Sequence, residues 1–123
     1  MERAEKALNF KHNGNNCCQA VLMAYADKLE IPEQQLRKIG ATFGAGMGCF
    51  ESTCGSLCGA QMVLGMTGGN IRAAKLLVDG FRSRAGGSIT CRELKGIGAG
   101  KMLCSCDDCV RYASECLDNL IGK

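Results

Sequence analysis

A chain of 123 residues, 46% of them hydrophobic and with a formal net charge of +3, has the length for one domain and the apolar content for one core, over residues 1–123. Four Phe, two Tyr and no Trp, dispersed among charges of both signs, make no stacking platform and no single-sign block, so nucleic acid is not an expected partner. The longest apolar stretch, Ala60 to Met66, is broken by Gln61 and Gly65 and falls far short of a membrane span.

The pattern is helical from the start. Ala4, Ala7 and Leu8 repeat at helical spacing between Glu2 and Phe10, and His12-Asn13-Gly14-Asn15-Asn16 then supplies turn and N-cap chemistry. A second helix follows at once, with Ala20, Val21, Ala24, Tyr25 and one of the adjacent Cys17 and Cys18 on its apolar face, ending near Ile31-Pro32. Glu33 to Thr42 reads as a third helix burying Leu36 and Ile39. The three glycines of FGAGMG, Phe43 to Gly48, demand a tight connection; with no Lys-Ser/Thr after them and no strand before, they do not form a phosphate cradle.

Cys54 to Met66 reads as a buried helix. Gly55 and Gly59, four apart, flatten one of its faces for close approach of a helix or a cofactor. Asn70 caps an amphipathic helix over Ile71 to Arg84, with Ala74, Leu77, Val78 and Phe81 inward. Thr90 with Glu93 suggests a capping box on a short turn, Cys91 to Leu94. A last helix is expected over Asp107 to Ile121, with Cys106 at its N-terminal edge. The fold class is therefore all-α, a single-domain helical bundle with glycine-rich connections.

Ten cysteines in such a chain are the chemical lead. The opening MERAEKALNF has no basic-then-apolar leader, so a cytoplasmic setting is expected, where thiols stay reduced and dense cysteine signals metal or redox chemistry rather than disulfide stapling. Cys54 and Cys58 share a helical face, and Cys104, Cys106 and Cys109 form C-x-C-x-x-C, spacings that let sulfurs converge on one ion or cluster.

Together, NCCQAVL at Asn16 to Leu22, FGAGMG, CGSLCG at Cys54 to Gly59 followed by MVLG at Met62 to Gly65, CREL at Cys91 to Leu94, and Cys106 four residues before Val110 resemble the redox-active C-GCAxxG-C-C family from about residue 3 to residue 121. The resemblance implies a site of Cys17, Cys54, Cys91 and Cys106 with the motif glycines Gly55 and Gly59; Ser56 stands where the motif has alanine. A related domain accompanies an iron–sulfur centre in split-Soret cytochromes, so the resemblance implies an iron–sulfur cluster as cofactor, for electron transfer or redox sensing. Outside the four matched positions, Cys58, one helical turn from Cys54, and Cys109, three residues from Cys106, are further candidate ligands by spacing. Haem is not carried over, because the C-x-x-C ending at Cys109 is followed by Val110 and not by histidine.

Zinc would use the same ligands, but four separate chain regions do not make paired knuckles. The alternative function is a dithiol–disulfide oxidoreductase with Cys106 as thiolate and Cys109 as resolving thiol; Asp107 and Asp108 argue against it by raising the thiol pKa. His12, the single histidine, reads as a solvated turn residue, and no Ser-His-Asp set assembles around it. The expected partners are a redox partner protein and, as an open option, a second copy of the chain in a homodimer.

Overall fold

The computed structural model describes residues 2–98 and 100–122, and the order of its helices is α1 (Arg3–His12), α2 (Cys17–Ala24), α3 (Ala26–Leu29), α4 (Glu33–Ile39), α5 (Gly55–Met66), α6 (Ile71–Arg84), α7 (Cys91–Lys95) and α8 (Cys106–Ile121). The fold is all-α. No helix among the described residues is long and apolar enough to cross a membrane.

Local chemistry caps three of the helix starts. Asn16 and Gln19 form a capping box on α2, Asn70 accepts the Ala73 N–H on α6, and Ser105 accepts the Asp108 N–H on α8. The Thr90 box expected on α7 does not form. Instead the Thr90 hydroxyl donates to the Glu93 carboxylate at 2.9 Å, and Ser88 donates to the same carboxylate at 2.7 Å. An acceptor already engaged by two hydroxyls does not reach back to the helix backbone.

The second helix ends earlier than its apolar pattern suggests. At Tyr25 (φ −108°, ψ 14°) the N–H tightens onto the Leu22 carbonyl, and α3 adds one further turn before Glu30, at φ 56°, closes it. The reorientation leaves Tyr25 fully buried, its hydroxyl donating to the buried Asp118 carboxylate of α8 at 2.7 Å. The third helix likewise stops at Ile39, with Gly40 as its C-cap, and leaves Ile39 exposed.

Helix α2 is the hub and packs against α1, α4, α5 and α8. Leu22, Leu36, Leu57, Leu77, Phe81, Val110 and Leu117 fill one core between these helices and α6. Gly55 and Gly59 explain how closely α5 lies on α2. A Cβ on Gly55 would stand 2.9 Å from the Phe43 carbonyl oxygen and 3.2 Å from the Cys18 nitrogen, and one on Gly59 would stand 2.9 Å from the Cys18 carbonyl oxygen.

Candidate cysteine site

Each cysteine implied by the resemblance starts a helix. Cys17 is the first residue of α2, Cys54 is the N-cap of α5, Cys91 opens α7 and Cys106 opens α8. Two backbone hydrogen bonds bring the middle pair together: the Cys54 N–H donates to the Ile89 carbonyl at 2.8 Å and the Cys91 N–H to the Ser52 carbonyl at 2.9 Å, on either side of an isolated Thr53–Thr90 bridge. The preceding loop folds over Cys91. Ala45, Met47 and Phe50 hold left-handed φ values of 52°, 62° and 65°, and a Cβ on Gly46 would lie 2.8 Å from the Cys91 Cβ.

All four cysteines line one cavity of about 220 Å³, with Gly55, Phe50, Lys11 and Lys95 among the other wall residues. Cys54 and Cys91 are buried, and Cys17 and Cys106 are half-buried. Gly59 lies instead against Cys18 and Val21 on α2. Among the described residues, no three His, Cys, Asp or Glu side chains stand close enough together to hold a single metal ion. The thiols border a space rather than a point.

The thiols influence one another's charge: Cys17 acts on Cys106, and Cys109 on Cys54. Cys109 does not border the cavity; its sulfur lies 3.5 Å from the Lys95 ammonium and 4.0 Å from the Cys104 carbonyl. Cys58, half-buried, turns its sulfur toward the Thr53 carbonyl at 3.8 Å, and Cys18 packs in the core beneath α5. Cys116 lies in the α6–α8 contact near Gly80, while Cys49 is exposed in the glycine loop, its sulfur 3.4 Å from the Gly46 carbonyl.

Cys17 draws the Cys106 thiol down to about 5; burial opposes this, and the Lys95 and Lys11 charges assist. Cys109 does the same for Cys54, drawn down to about 6 against burial, with help from the Ser56 N–H and from Lys95. Cys17 and Cys109 move up in return, and burial raises Cys91 as well and carries Cys18 up to about 12.

The objection drawn from Asp107 and Asp108 is thus overturned at Cys106, whose thiolate is favoured. Asp107 pairs with His12, Nε2 to Oδ2 at 2.8 Å, and His12 is exposed, as its reading as a solvated residue expects. The cation that outweighs the aspartates is Lys95. It is half-buried, with Nζ 3.5 Å from the Cys109 sulfur and 3.4 Å from the Cys104 carbonyl. Sequence reasoning passed over it, although its position four residues after Cys91 puts both on one face of α7.

A pH series checks the assignment. In metal-free protein, iodoacetamide should label Cys106 at an undiminished rate from about pH 8 down to about pH 6 and lose rate near pH 5, whereas an ordinary cysteine slows tenfold per unit below ~8.5. A midpoint for Cys106 in the ordinary range refutes the action of Cys17 on it.

The sequence profile described as "Putative redox-active protein (C_GCAxxG_C_C)" matches residues 15–120, and the chain belongs to that family. No curated protein and no solved structure matches it.

Proposed function

We propose that the cavity binds an iron–sulfur cluster through Cys17, Cys54, Cys91 and Cys106, and that the protein serves electron transfer or redox sensing. The observation that carries this reading is the meeting of four cysteines, each opening a different helix, around one cavity of about 220 Å³. Four thiolates spread around a volume suit a bridged cluster better than one zinc ion, which needs its ligands at a point.

The donor set fits such a group. Cys54 and Cys106 already favour the thiolate, while Cys17 is held protonated, so ligation would displace the Cys17 proton. When bound, the cluster would supply a one-electron couple. The chain supplies the setting: N-terminal ends of α2, α5 and α8 and the Lys95 and Lys11 ammonium groups offset negative charge at the wall, and Phe50 and Ala45 limit water.

Protein purified without oxygen and supplied with ferrous iron and sulfide should take up both in stoichiometric amounts and develop broad visible absorption. Colourless, iron-free protein with a reversible two-electron dithiol couple would move the assignment to a dithiol–disulfide oxidoreductase.

A further inference from the structure

Among the described residues that line the cavity the charged side chains are Lys11 and Lys95, and no carboxylate stands with them. The two lysines are held differently. Lys95 closes α7 four residues after Cys91, so both lie on one face of that helix and both reach the cavity wall. Its ammonium donates to the Cys104 carbonyl at 3.4 Å and lies 3.5 Å from the Cys109 sulfur.

The two anchors are themselves fixed. Cys104 and Cys109 are buried, and the Leu94 carbonyl accepts the Leu103 and Cys104 N–H groups at 2.9 and 3.1 Å, which ties the chain ahead of α8 to α7. Lys95 is half-buried, so its charge is kept in one place and partly withdrawn from water, where salt screens it little. Lys11, in the last turn of α1, makes no hydrogen bond or ion pair among the described residues.

We propose that Lys95 sets the reduction potential of the cluster read for this cavity, its anchored ammonium favouring the reduced form. The proposal rests on the cluster reading and adds a residue that acts on the couple without ligating it. In the reduction, a one-electron donor loses one electron and the cluster gains it. No bond is made or broken and no proton moves, so the reduced site carries one more negative charge than the oxidised one. A cation fixed at the wall stabilises that added charge and raises the potential. Cys104 and Cys109, which lie outside the four wall cysteines, thereby acquire a part: they hold the cation in position.

The test is a redox titration of the full chain, reconstituted with iron and sulfide without oxygen, reduced with dithionite and followed by visible absorption. Lys95→Met keeps an apolar stem and removes the charge. Loss of one close opposite charge shifts the balance between two charge states about tenfold or more. For a one-electron couple, tenfold lowers the midpoint by about 59 mV. Lys95→Arg restores the charge and should recover most of the parent midpoint, a rescue that a merely structural role does not predict. Lys11→Met removes an unanchored charge from the same wall and should shift the midpoint by less than half as much.

A Lys95→Met midpoint equal to the parent's, an equal fall in Lys95→Arg, or an equal fall in Lys11→Met overturns the proposal. Lys95→Gln, read in the same way, stands in if Lys95→Met does not fold. Iron missing from both neutral variants and kept by Lys95→Arg makes the charge a condition of binding, and this too overturns the proposal. Parent protein that takes up no iron removes the cluster reading and this proposal with it, whereas iron-replete variants with unchanged midpoints remove this proposal alone.

Discussion

Replacing any one of Cys17, Cys54, Cys91 or Cys106 by serine should take iron and sulfide in the anaerobically reconstituted protein to near background. Loss of an outer partner of a metal ligand alone costs about 10–100-fold in affinity, and loss of the ligand costs more. The informative comparison is with cysteines that the fold places elsewhere. Cys116 lies ten residues beyond Cys106, about 15 Å along α8, and packs where a Cβ on Gly80 would touch its sulfur at 3.4 Å. Cys58 turns to the Thr53 carbonyl and does not border the cavity lined by the four. Cys58→Ser and Cys116→Ser should therefore keep their iron and change only thermal stability. Iron lost in Cys116→Ser and kept in Cys17→Ser and Cys91→Ser would remove the shared site.

What the sequence makes legible here is where some of the helices start. Asn16 before Cys17, Ser105 before Cys106 and Asn70 before Ile71 are short-range signals, each a polar side chain within three residues of the N–H it accepts, and the structure uses all three. That every cysteine of the resemblance opens a helix is visible in the same way. What cannot be read locally is which helix starts face one another. The Thr53–Thr90 bridge that sets Cys54 beside Cys91 spans 37 residues with no alternating pattern to announce it, and the left-handed turns at Ala45, Met47 and Phe50 occur at residues that give no glycine signal. Charge shows the same divide. Asp107 is next to Cys106 in the chain, yet its carboxylate pairs with His12, 95 positions away, while Lys95 comes from another helix to favour the Cys106 thiolate. Sequence proximity gave the wrong sign because side chains on adjacent helical positions point apart.

Overpacking at Gly59 should unfold both the helix contact and the site that depends on it. A Cβ there meets the Cys18 carbonyl oxygen at 2.9 Å and the Val21 Cβ at 3.2 Å. The nearer atom is backbone, so no rotamer change relieves it, and α2 and α5 must move apart. Those are the helices that start at Cys17 and follow Cys54, so separation also widens the cavity wall. Gly59→Leu should destabilise the protein by on the order of 1–3 kcal/mol and lower its iron content. Gly65 supplies the internal control: it lies in the same helix, is exposed, and has nothing within 4 Å of an added Cβ. Gly65→Ala should be neutral or gain up to about 1 kcal/mol from helix propensity alone, whereas Gly59→Ala, with the same propensity gain, should lose stability. Thermal denaturation of the three variants, read beside their iron content, decides the matter. If Gly59→Leu melts with the parent protein and holds the same iron, the α2–α5 contact does not position the cysteines.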